Sequence, residues 1–240
     1  MLIKIRNSVL IVSLLFIGGF SIPEVKNGNN PQSKVSFRNN PIYQREIDMF
    51  NLNKLKQADI VMLGNSLTAG ANWNEILGRL SVVERGITSD MLEGYANRMN
   101  LVYNLKPKIC FICGGLNDIF NWVPVDQIYE TYIKIVSDLK ARNIIPVIQY
   151  TVYVGKDLMK TQNITLENLK GRNDEVTKLN KLLSDYAKKN NIEFINLNSR
   201  LTSIDGFLRT EFTWDGIHFK AAAYKIWAEE VDKILRKYKL

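Results

Sequence analysis

The stretch Ile60-Val61-Met62-Leu63-Gly64-Asn65-Ser66-Leu67-Thr68 decides how this chain folds. Residues 60–63 are apolar without a break. A run so short and so continuously apolar reads as a strand buried on both faces, the kind found inside a parallel sheet. Gly64 then permits a tight bend, and Ser66 follows where a helix would start. A strand running straight into a helix through a polar turn predicts an α/β fold.

The same signature recurs at residues 82–83, 109–113, 144–148 and 194–197. Between these runs lie helical stripes. Residues 125–141 repeat apolar positions at Ile128, Tyr132, Ile135, Val136 and Leu139. A second stripe joins Val176, Leu179, Leu183, Tyr186 and Ala187, and a third covers residues 224–235. Five strands alternating with helices predict a parallel sheet covered on both faces. In such folds the chemistry gathers at the C-terminal ends of the strands.

The chain has 240 residues, 46% of them apolar and 23% charged, enough for one domain with a sizeable core. Lys4 and Arg6 precede an apolar run from Val9 to Phe20 that is short for a membrane span. Residues 1–20 therefore read as a secretory signal peptide, with an uncleaved anchor as the alternative. Residues 21–40, rich in Asn, Ser and Pro, read as a polar linker, and residues 41–240 as the folded domain. The expected location is secreted or periplasmic, with no stable membrane span after cleavage. The net charge is +8, but the lysines are scattered along helices, so a solvated surface is expected and no nucleic-acid partner. Cys110 and Cys113 fall three apart on one strand, point to opposite faces and read as buried free thiols. With a single His in the chain, no metal site and no cofactor are expected.

Four strand-edge motifs carry chemistry. Ser66 follows the first strand; by itself it is equally a helix cap. Gly86, after the second, can be a turn or can bring a bare N–H to a substrate oxygen. Gly114-Gly115-Leu116-Asn117-Asp118 follows the third, and the Asn117 amide offers a donor that never titrates. Asp118 reads as a cap or loop brace. Near the end, Trp214-Asp215-Gly216-Ile217-His218 places a carboxylate three residues before the only imidazole. Serine needs such a base, and an imidazole needs such an orienting group.

With these four blocks in order, the sequence resembles the SGNH hydrolases, also called the GDSL esterase and lipase family. The likeness runs from about residue 58 to the C-terminus. It implies a three-layer α/β/α sandwich with a five-stranded parallel sheet of flavodoxin-like type. It also implies a catalytic set of Ser66, His218 and Asp215, with Ser66, Gly86 and Asn117 around the oxyanion. Asn65 stands where the family usually has Asp, and Leu116 is uncommon in the third block. An α/β-hydrolase would require Gly-x-Ser-x-Gly, and Thr68 occupies the last of those positions.

The expected activity is ester hydrolysis through an acyl-enzyme, with a small acyl group on a carbohydrate as substrate. The alternatives are a lysophospholipase or thioesterase acting on lipids, and a carbohydrate-binding module without turnover. Trp73, Trp122, Trp214 and Tyr153 are the expected substrate contacts, since aromatic faces suit sugar rings. Tyr150 and the loop 151–165 should border the same site.

Overall fold

β1 (Ile60–Gly64) is buried along its whole length and lies between β2 (Val82–Gly86) and β3 (Ile109–Cys113). The computed structural model describes residues 36–240. The expected signal peptide, and all of the expected linker before residue 36, lie outside the described residues. β4 (Ile145–Gln149) and β5 (Glu193–Ile195) complete a sheet of order β2-β1-β3-β4-β5, parallel throughout. Gly64 is level with Gly86 on one side and with Cys113 on the other. Three strands thus end along one edge. The chain leaves β1 outward to β2 and then crosses back to β3, so the strand order reverses at β1. That reversal opens a crevice at the carboxyl ends of the strands.

The helices are α1 (Tyr43–Leu52), α2 (Ser66–Ala69), α3 (Trp73–Leu77), α4 (Leu92–Asn97), α5 (Asn100–Tyr103) and α6 (Leu116–Phe120), followed by α7 (Val125–Lys140), α8 (Leu158–Thr161), α9 (Leu166–Asn190), α10 (Asn198–Leu201) and α11 (Ala221–Lys237). In one layer α7 packs against α4 and α9; in the other α3 packs against α11 while α2 lies against β2. The five apolar residues expected on α7 are its buried ones. Each large side chain so buried contributes roughly 1.5–3 kcal/mol. Cys110 and Cys113 are buried and unpaired, and burial pushes the Cys113 thiol up to about 12 and Cys110 higher still. Both are inert at neutral pH. Among the described residues no helix is long and apolar enough to cross a membrane.

Three of the differences from the sequence reading have a plain physical cause. β2 runs on through Glu84 and Arg85 to Gly86, because an edge strand can carry charges that a central one cannot. α9 starts ten residues before Val176. Its early turns bury Arg172 and Asn173 on the stripe that Leu169 begins, so the apolar period looks broken. Residues 36–40 are not linker: Phe37–Asn39 form a 3-10 turn, and the buried Phe37 packs with Tyr43 and Ile87.

Candidate active site

Ser66 is the first residue of α2. Asn65 caps that helix, its side-chain oxygen accepting from the Leu67 N–H at 3.0 Å. A neutral amide therefore does the capping. The Ser66 N–H sits in the first turn, where no intrahelical acceptor exists.

The loop before α11 delivers the imidazole. Thr213 and Phe219 close it by an antiparallel bridge. Gly216 at its tip has φ +94°, and a side chain there would strike the Leu158 N–H at 2.3 Å, so only glycine fits. Asp215 Oδ1 accepts from the Ile217 and His218 N–H groups at 2.8 and 2.7 Å, leaving Oδ2 for His218 Nδ1 at 2.6 Å. His218 Nε2 then lies 3.0 Å from Ser66 Oγ. Burial alone would raise the Asp215 carboxyl, but the His218 ring and the two backbone N–H groups outweigh it and hold the acid below its usual range. Asp215 is therefore ionised at neutral pH, holding the proton on Nδ1. Nε2 is free to take the proton from Ser66.

On the far side of the crevice, Asn117 Nδ2 donates to the Asp90 carbonyl at 2.8 Å. The second N–H of that amide remains for another acceptor. Asp90 is buried and paired with the equally buried Arg98, Oδ2 to Nε 2.9 Å. Burial pushes the Asp90 carboxyl up to about 6 against the pull of Arg98. Arg98 also donates to the Arg85 and Gly64 carbonyls, at 2.9 and 3.0 Å. One guanidinium thus ties together the ends of β1 and β2 and the loop that follows. Asp118 braces the same loop from below, accepting from the Leu92 N–H at 3.2 Å. Burial drives its carboxyl up to about 7.

Gly86 is not placed as expected. The Ile87 N–H donates to the Gly64 carbonyl, so alternation along β2 turns the Gly86 N–H away from β1, toward the open edge. There the Glu84 carboxylate accepts it. Its glycine identity reflects crowding, since a Cβ would lie 2.6 Å from the Ala69 nitrogen. Sequence reasoning missed Ser89, two residues beyond Ile87. Its φ is +61°, a left-handed conformation rare outside glycine, and its N–H has no hydrogen-bond acceptor among the described residues. Its neighbour Asp90 holds the Asn117 side chain. Nothing in the identity of Ser89 signals a positive φ.

The expected aromatic contacts separate. Trp214 is 64% exposed and stacks on the His218 ring, centroids 5.5 Å apart at 22°. Trp73 is not where a substrate contact would be. It is buried, its indole donates to the Thr68 carbonyl at 2.8 Å, and it packs edge-on against Trp227. Trp122 is exposed, with one ring face against the Arg172 guanidinium. The Tyr153 hydroxyl pairs with Thr177 on α9 at 3.0 Å, and Tyr150 stacks on Phe194. Asn173, Asn180 and Asn198 clamp the backbone of residues 151–154, which holds the start of the bordering loop in place. An apolar surface groove of about 690 Å³ runs between α3 and α11, past Ile76, Leu77 and Tyr224. None of Ser66, Asp215 or His218 lines it.

The Asp215 carboxylate, the His218 ring and the Ser66 hydroxyl thus form one hydrogen-bonded chain at the strand ends, an arrangement that can support acyl transfer. A model of the GDSL-like lipase/acylhydrolase family matches residues 62–226, and the chain belongs to that family. By sequence, no curated protein matches it. Its fold is similar to that of a GDSL-like lipase from Bacteroides thetaiotaomicron VPI-5482, at 20% identity over 85% of this chain and 100% of that one, TM-score 0.68. A lipase/acylhydrolase from Enterococcus faecalis is similar at 18% identity over 76% of this chain and 97% of that one, TM-score 0.62. The acetyl xylan esterase AlAXEase is similar at 18% identity over 73% and 98%, TM-score 0.57. At such identities the likeness shows a shared fold.

Proposed function

We propose that this chain hydrolyses carboxylic esters through an acyl-enzyme on Ser66, and that its substrate is a small acyl group carried by a carbohydrate. The observation that carries the reading is the 3.0 Å approach of His218 Nε2 to Ser66 Oγ, with Asp215 behind the ring. Ser66 Oγ attacks the carbonyl carbon as its proton passes to Nε2. The negative charge that develops on the carbonyl oxygen is held by the Ser66 N–H, the Ser89 N–H and the free N–H of Asn117. Collapse expels the alcohol oxygen, which takes the proton from His218. Water then repeats the sequence on the acyl-serine, releasing the acid and restoring Ser66.

Two observations support the carbohydrate. Trp214 offers an exposed indole face beside the base, and such faces suit the C–H side of a sugar ring. The acetyl xylan esterase shares the fold. Hydrolysis of 4-nitrophenyl acetate tests the nucleophile: Ser66→Ala abolishes turnover if the reading holds, and unchanged turnover refutes it. A series from acetate to decanoate tests the acyl group. Preference for acetate, with activity on acetylated sugars, supports the proposal; preference for decanoate points to a lipid acylhydrolase.

A further inference from the structure

Ser89 presents its N–H as one half of a peptide unit whose other half is the Thr88 carbonyl. Among the described residues no peptide bond is cis, so in this unit the C=O and the N–H point in opposite directions. Whatever holds the Thr88 oxygen therefore sets where the Ser89 N–H points. That oxygen is held by Asn40, whose Nδ2 donates to it at 2.8 Å.

Asn40 is itself held in place. Its Oδ1 accepts from the Ile42 N–H at 3.1 Å, fixing the amide at the start of α1. On one side Phe37 and Tyr43 pair with ring centroids 4.7 Å apart and close over the buried Ile87, the residue before Thr88. The Tyr43 hydroxyl donates to the Gly94 carbonyl on α4 at 2.8 Å. The segment around residues 37–43 thus straps the loop that carries Ser89. The family match begins at residue 62, so this strap lies outside it.

We propose that Asn40 is a positioning residue of the oxyanion hole: by holding the Thr88 carbonyl it aims the Ser89 N–H at the reacting oxygen. This rests on the esterase reading given above. Asn40 touches neither substrate nor Ser66; it acts through one peptide plane. The bond is solvent-exposed, so its loss costs little stability, and its worth is in orientation.

Asn40→Asp isolates the effect. An aspartate keeps an oxygen for the Ile42 N–H and keeps the shape, but when ionised it has no hydrogen to donate to Thr88. Asn40→Ala removes both bonds. Losing a whole oxyanion donor lowers kcat by about 10²–10³, so loosening one is expected to lower it by about tenfold. With 4-nitrophenyl acetate, both variants should lose kcat to that extent with KM within about twofold, and Asn40→Asp should melt within a few degrees of wild type. A role in folding alone would lower the melting temperature and leave kcat of the folded protein unchanged, which overturns the proposal. An amide ¹H–¹⁵N spectrum gives an arm independent of catalysis. The Ser89 resonance should move in Asn40→Asp while those of β3 stay; a fixed Ser89 resonance overturns the proposal. Absence of any Ser66-dependent turnover in wild type would sink the esterase reading instead, and the Ser89 resonance would still decide whether Asn40 orients that peptide.

Discussion

Asp215→Asn changes one atom and removes one charge. Oδ1 can still accept from the Ile217 and His218 N–H groups, at 2.8 and 2.7 Å in the wild type, so the loop keeps its shape. What changes faces His218 Nδ1 across 2.6 Å. An amide nitrogen there donates, so Nδ1 must accept and the ring proton moves to Nε2, where it blocks transfer from Ser66. The imidazolium formed during attack also loses its counter-charge. For charges about 4 Å apart, an effective dielectric of 20 gives about 4 kcal/mol. The His218 side chain is 33% exposed and that of Asp215 15%, so water screens part of this, leaving about 2–3 kcal/mol. That is roughly 30- to 200-fold in rate, and the wrong tautomer adds to it. We expect kcat on 4-nitrophenyl acetate to fall by at least about 10³, with KM little changed and the fold intact by circular dichroism. A loss under about tenfold in a well-folded variant would refute the argument that Asp215 sets the proton's position on His218.

Three further outcomes follow from the geometry. Trp214→Ala should raise KM for an acetylated sugar about tenfold while sparing 4-nitrophenyl acetate; equal effects on both would remove the sugar platform. Arg98→Met strands the buried Asp90 carboxylate, a change worth about 3–5 kcal/mol, so the melting temperature should drop by about 10 °C, and adding Asp90→Leu should recover part of it. A drop no larger than a degree or two would show the pair to be idle. Asp118 has its folded carboxyl raised from 3.8 to about 7, so the folded state binds that proton more tightly than the unfolded chain. Its contribution is full below about pH 4 and disappears as pH rises through 7, on the order of a few kcal/mol. Asp118→Asn should therefore flatten part of the fall in melting temperature between pH 5 and 8. Asp90, raised to about 6, and Glu84, raised to about 7, both by burial, keep the remainder. An unchanged slope would contradict the assignment.

The sheet was legible because its central strands are apolar on both faces, as Ile60 to Leu63 and Ile109 to Cys113 show at a glance. Ser66 and the Asp215–His218 pair, which the fold brings together, were legible because each sits in a turn just past a strand or before the last helix, where chemistry collects. Trp73 was not. It follows the Ser66 block in sequence, but its indole packs on Trp227, a contact that only the folded chain creates. Gly86 drew attention as the glycine at a strand end. The left-handed residue is Ser89, whose side chain gives no hint of it. Asp90 and Arg98 are ordinary charges in sequence and become a buried pair only when β1 and β2 are side by side. Asn40 lay hidden in an asparagine-rich run that reads as linker, and its partner is 48 residues away.

The reactivity of the Ser66 hydroxyl is the central requirement of the proposed chemistry. Incubation with a fluorophosphonate, followed by intact and peptide mass spectrometry, measures it directly. A single adduct on the peptide that carries Ser66, absent after His218→Ala, is the expected result. No adduct, or one on another serine, would contradict it.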